Sequence, residues 1–176
     1  MADPSSIATT ASVISAAFSE DGSQLVVGTT NQKVIIYDLA GSAQPIELLP
    51  AEPHVRKVVF AGDYVVARSS QGKRGMPVIE RWSRQTWKLA GSASSFPLSR
   101  SFWEVAISPD GERVAVPEET TIKIWDIETG KALPITFGSL APRGSMTIGF
   151  SFDGSRVINA GYDELGHIWD AHTGKQ

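Results

Sequence analysis

Short runs in which apolar and polar residues alternate follow one another along the chain, as in VAISPDGERVAVPEETTIKIWDIETGK over residues 105–131. Period-two alternation broken by Gly, Asp and Pro predicts half-buried strands joined by turns, and no stretch carries the 3.6 period of an ordinary helix. One aromatic closes an alternating run four times, at Tyr37, Trp82, Trp125 and Trp169, with gaps of 45, 43 and 44 residues. The last large apolar residue before a turn gives Phe18, Phe60, Ile107 and Phe150, spaced by 42, 47 and 43. Two independent landmarks therefore set one period, and the repeats run approximately 12–50, 53–92, 101–138 and 144–176.

Turn chemistry recurs with the same period. Asp21-Gly22, Asp110-Gly111 and Asp153-Gly154 mark tight reversals, because Gly supplies positive φ without a Cβ clash. The second copy has a shorter turn at Gly62-Asp63 and a longer following loop, SSQGKRGMP. After the aromatic comes Asp38, Asp126 or Asp170, and Ser83 in the second copy. The stretches near Ile46 to Leu49, Lys88 to Ser92 and Ala132 to Phe137 supply a fourth strand before the next copy begins.

The segments SPDG (108–111), IKIWDIETGK (122–131), FSFDG (150–154) and HIWDAHTGK (167–175), with FSEDG (18–22) and VIIYDLAG (34–41) as looser copies, resemble the WD-repeat family of β-propellers. The resemblance covers nearly the whole chain. It implies an all-β fold, a single propeller domain over residues 1–176, with four blades of four-stranded antiparallel sheet. It assigns structural roles to Tyr37, Trp82, Trp125 and Trp169, packed between blades, and to Asp38, Asp126 and Asp170 in the turns.

The family's hydrogen-bond tetrad, a Gly-His at the repeat start and an Asp six residues before the Trp, is mostly missing. That Asp position holds Asp163 in the fourth copy but Asn31, Met76 and Glu119 in the others, and no Gly-His pair stands at a repeat start. The blades are expected to rely mainly on packing. Arg81 stands where the other copies have Ile36, Ile124 and Ile168, so its guanidinium must reach the rim or an acid.

In this phase residues 5–11, SSIATTA, precede the first full copy as a candidate ring-closing outer strand, while the fourth copy ends without one. Rings of six to eight blades are usual in the family. Three arrangements follow: a partial ring belonging to a longer propeller, a homodimer in which each chain is half of an eight-bladed ring, or a compact four-bladed ring.

With 41% hydrophobic and 20% charged residues, the chain has the composition of a water-soluble globular domain. The net charge of −3 conceals eight Lys/Arg against three acids within residues 51–90. This basic stretch leaves nucleic-acid binding as a minor reading. Cysteine is absent, which excludes disulfides and thiolate chemistry. The N-terminus lacks a basic segment followed by an apolar core, and no apolar run reaches membrane-spanning length, so no membrane role and a cytoplasmic location are expected.

No constellation of catalytic residues emerges. His167 and His172 flank Trp169-Asp170 with no third ligand set by spacing, so no metal and no cofactor are expected. There is no G-x-S-x-G elbow and no phosphate-loop signature. The resemblance places the interaction surface on the loops before the Trp-bearing strands and at the repeat starts. Candidate partner contacts there are Arg56, Trp103, Met146, Tyr162 and Glu118, with Lys73 and Arg74 from the long loop. The chain is read as a non-enzymatic protein-interaction scaffold; the alternative is an accessory or gating propeller within a larger enzyme or signalling protein.

Overall fold

A computed structural model describes residues 7, 9, 11–41, 43–51, 54–69, 77–93, 105–118, 121–138, 145–161 and 164–176, without the side chains of 145, 146 and 161. The described residues form strands and turns, with no helix among them. The first blade comprises β1 (Val13–Phe18), β2 (Gln24–Thr29), β3 (Val34–Asp38) and β4 (Ile46–Leu48). The second comprises β5 (Val55–Ala61), β6 (Tyr64–Ser69), β7 (Val78–Ser83) and β8 (Leu89–Ala93). The third comprises β9 (Ala106–Ile107), β10 (Arg113–Glu118), β11 (Thr121–Asp126) and β12 (Lys131–Phe137). The fourth has β13 (Ser145–Phe150), β14 (Arg156–Gly161) and β15 (Gly166–Asp170).

Each sheet is an antiparallel meander in chain order, giving a four-bladed β-propeller architecture with three four-stranded sheets and one three-stranded sheet. Among the described residues β15 pairs only with β14, so its outer edge carries no strand. Of the expected closing strand over 5–11, only Ile7, Thr9 and Ala11 are described, and none lies in a strand.

The tight turns follow from a circuit written in the sequence. In the first blade the Ser19 hydroxyl donates to Asp21 Oδ1 at 2.7 Å and accepts from the Gln24 amide at 2.9 Å. The Ser23 amide donates to the same carboxylate at 3.0 Å, and Gly22 takes a φ of 70°. Ser108 with Asp110 and Ser151 with Asp153 repeat the circuit. The second blade reverses through Gly62-Asp63 alone, joining β5 directly to β6.

The leading face of a blade is the one that, in the second to fourth blades, packs on the blade before, and the trailing face is the one that, in the first to third, is covered by the blade after. Cross-strand register identifies equivalent positions: Phe18, Leu25 and Tyr37 align across β1, β2 and β3, as do Phe60, Val65 and Trp82, and Phe150, Val157 and Trp169. Three apolar cores result. Val26, Ile36 and Leu48 meet Val58, Val65 and Trp82 between the first and second blades. Val66, Ile79 and Ala93 meet Val114, Ile127 and Trp125 between the second and third. Ala115, Ile124 and Phe137 meet Ile148, Val157 and Trp169 between the third and fourth. Trp82, Trp125 and Trp169 thus each pack against the preceding blade, because an indole is long enough to cover a whole strand pair. Tyr37, the fourth of the series, is half-buried on the first blade's leading face.

Candidate functional site

The expected interaction surface lies at the end of the sheets that carries the second-to-third strand loops. Arg56 is exposed there at the start of β5. Trp103, Tyr162, Lys73, Arg74 and Asp163 lie outside the described residues, as does the side chain of Met146. Glu118 corrects the expectation of an exposed contact: it is buried at the end of β10. Its Oε1 accepts from Trp125 Nε1 at 3.2 Å, and its Oε2 lies 2.7 Å from Lys123 Nζ. A buried carboxylate held by an indole N–H and an ammonium is committed to its own blade.

The fourth blade solves the same problem with a different residue. Trp169 Nε1 donates to Asn159 Oδ1 at 2.7 Å, and Asn159 is buried. Sequence reading found both indoles but missed both partners. The signal was present in the pairing, since Trp169 stands opposite Val157 and Asn159 is two residues further along the same face.

Three arginines reach between blades or hold their turns. Arg81, only 3% exposed, crosses from β7 to the third blade, where Nη1 donates to Gly111 O at 3.2 Å and Nη2 meets Glu128 Oε2 at 2.8 Å. Arg113 Nη2 donates to Gly154 O at 3.3 Å in the fourth blade. Arg84 lies over the Phe60 ring, 4.9 Å from its centroid, and donates to Gln24 Oε1 of the first blade at 3.0 Å. Arg81 is therefore engaged inside the fold and Arg84 is tied to Phe60 and Gln24, which reduces the free basic surface expected of residues 51–90.

At the opposite end, where the Asp-Gly turns converge, the described residues of all four blades line a half-open cleft of about 600 Å³. Phe18, Phe60 and Phe152 supply its apolar lining, while Glu20, Asp110 and Asp153 place carboxylates around it and Arg84 one guanidinium. Phe152 is 83% exposed and Phe18 65%. Hydrogen bonds from Ser151 and Ser155 hold Asp153 well below the usual carboxylate range, at about 2. Asp110 is also lowered: burial opposes its ionisation, but hydrogen bonds from Ser108 and Glu112 and the charge of Arg113 outweigh it. Both remain anionic at neutral pH, giving the cleft a negative rim around aromatic surface. Among the described residues no three His, Asp or Glu side chains gather as a metal site.

Residues 5–38 match the family model described as WD domain, G-beta repeat. The matched stretch contains the first three strands, and the register carries the same positions through the other three blades. This match and the four-bladed fold support the WD-repeat β-propeller family for the chain. The LEC14B protein of Lithospermum erythrorhizon is similar, at 24% identity over 120 residues, which cover 65% of this chain and 24% of that protein. The WD-repeat chain thus spans about a quarter of the length of that relative. WD repeats generally mediate protein–protein interaction, and propellers of this kind are typically non-catalytic. In this WD-repeat chain Glu118 and Asn159 satisfy the indoles of Trp125 and Trp169.

Proposed function

We propose that the chain is a non-catalytic protein-interaction module that grips a basic, apolar-flanked segment of a partner in the cleft at the Asp-Gly-turn end. The observation that carries this reading is Phe152: a phenylalanine at the tip of a turn, 83% exposed, beside two ionised carboxylates. An exposed aromatic costs solvation free energy without contributing to its own blade, and aromatic anchors beside complementary charge are what partner surfaces use. Phe60 under the Arg84 guanidinium supports the same chemistry, since an internal cation already occupies an aromatic face in this cleft. The cleft's carboxylates favour Lys or Arg on the partner, and its phenylalanines favour an aliphatic or aromatic neighbour.

A phage-displayed peptide library selected on the immobilised chain tests this. Enriched peptides are expected to combine a basic with an apolar residue, and to lose most of their binding to a Phe152→Ala/Asp153→Asn variant. Enrichment of peptides that bind that variant as well as the parent chain, or no enrichment at all, would overturn the reading.

A further inference from the structure

The second blade reverses more tightly than the others. Six residues separate Phe18 from its cross-strand partner Leu25, Ile107 from Val114 and Phe150 from Val157, but four separate Phe60 from Val65. The turn-tip residue that is Glu20, Pro109 or Phe152 in the other blades therefore has no counterpart in the second. Beside this shortened turn, at a junction internal to the chain, lies a half-open recess of about 170 Å³ between the second and third blades. Lys57, Val59, Phe60, Ile107, Ser108 and Pro109 are among the residues that line it.

The recess continues the cleft. Phe60 and Pro109 line both, so a molecule held in one reaches the other. Alternation along β5 puts Lys57, Val59 and Ala61 on one face of the strand. Val59 and Ala61 enter the core shared with the third blade, whereas Lys57 is exposed. At about 3.3 Å per residue, Lys57 stands about 10 Å along β5 from Phe60. The Ser108 hydroxyl already donates to Asp110 and accepts from the Arg113 amide, so the walls offer a ligand apolar surface and one ammonium.

Charge is divided unevenly over the joined space. Its carboxylates, Glu20, Asp110 and Asp153, come from the first, third and fourth blades, and its cations, Arg84 and Lys57, from the second. Arg84 lies over the Phe60 ring and donates to two neutral acceptors, Gly62 O and Gln24 Oε1. Lys57, Glu20 and Asp153 form no ion pair among the described residues. A ligand that satisfies both ends carries a cation and an anion with apolar surface between them, and lies with its anion toward Lys57.

Resting on the reading of the cleft as a partner site, we propose that the recess holds the C-terminal residue of the bound segment. Its apolar side chain packs on Val59, Phe60 and Ile107, and its carboxylate pairs with Lys57. A Lys or Arg roughly two to four residues upstream then lies among Glu20, Asp110 and Asp153. A recess of about 170 Å³ accepts a group of about the size of benzene, so a chain that enters it has room for a single residue. A terminal residue carries an apolar side chain and a carboxylate on the same Cα, which is the combination the recess presents. An internal Asp or Glu would fill the same space with a polar side chain and leave Val59 and Ile107 without an apolar partner.

The test selects peptides on the immobilised full chain from two libraries, one displayed with free C-termini and one with its C-termini fused to the carrier. The free-ended library is expected to enrich peptides with an apolar last residue and a Lys or Arg upstream. Synthetic forms of these peptides, followed by fluorescence anisotropy, are expected to bind at least about threefold more weakly as C-terminal amides than as acids. Lys57→Gln is expected to weaken the acid and leave the amide unchanged, so that the difference disappears. Lys175→Gln, which removes an exposed charge outside the recess, is expected to preserve the difference. Peptides that need Phe152 and Asp153 but bind equally as acid and amide would overturn the terminal-residue proposal and leave the cleft reading standing. Peptides whose dependence on Lys57 comes from an internal Asp or Glu would do the same. Peptides indifferent to Phe152→Ala/Asp153→Asn would overturn both.

Discussion

Arg81 Nη2 of the second blade lies 2.8 Å from Glu128 Oε2 of the third, with the guanidinium buried and the carboxylate largely in solvent. The pair is lopsided. Arg81 also stacks 4.3 Å from the Tyr64 ring centroid, and its Nε is buried without a hydrogen-bond partner among the described residues. Removing the acid leaves a buried charge with less compensation, whereas removing the arginine releases Glu128 to water. Glu128→Ala is expected to destabilise the chain by about 2 kcal/mol. Arg81→Ile, which restores the residue of the other copies, is expected to change stability by less than about 1 kcal/mol or to raise it. Urea unfolding checks both, and a larger loss for Arg81→Ile would contradict the asymmetry.

The indole partners give a second prediction. Asn159→Ala leaves the buried Trp169 N–H without its acceptor, and a loss of about 1–3 kcal/mol is expected. Trp169→Phe combined with Asn159→Ala is expected to cost less than the sum of the two single changes, because each single change already breaks the same bond. Additive losses in thermal or urea unfolding would show that the bond contributes nothing.

The three Asp-Gly turns should not respond alike to alanine. All three glycines have positive φ, but a Cβ on Gly22 meets nothing within 4 Å, whereas one on Gly111 would sit 2.7 Å from Ala61 O. Gly22→Ala carries the left-handed backbone penalty alone, about 1 kcal/mol. Gly111→Ala adds a clash with the backbone of the neighbouring blade and is expected to cost at least about 3 kcal/mol. Equal melting temperatures for the two variants would rule this out.

Acid sensitivity follows from the turn carboxylates. Asp21 and Asp153 are lowered from 3.8 to about 2, chiefly by side-chain hydrogen bonds from Ser19 and Ser151, and Asp170 is lowered by the Thr173 and His172 amides. A depressed carboxylate binds its proton less readily in the folded state. Its stabilisation is present above the unfolded value and is lost as pH falls from about 4 towards about 2. Asp21→Asn/Asp153→Asn should flatten the pH dependence of stability in that window. An unchanged slope would mean that the circuits titrate alike in the folded and unfolded states.

The sequence by itself determined the four-fold period, the succession of strands and turns, the Asp-Gly turns and the positions of Tyr37, Trp82, Trp125 and Trp169. These are local properties: alternation reports which side of a strand is apolar, and a turn's φ requirement is met by the residue that stands there. The need for Arg81 to find an acid was legible too, although the acid was not, because Glu128 lies in another blade. Only the tertiary structure decided that Glu118 turns inward under Trp125 and that Asn159 holds Trp169. Ile158 and Ile168 make the limit plain. Their pattern reads like that of Val26 and Ile36, yet one pair is covered and the other open, because alternation records that a face is made for burial and only the packing of blades records whether a neighbour is there.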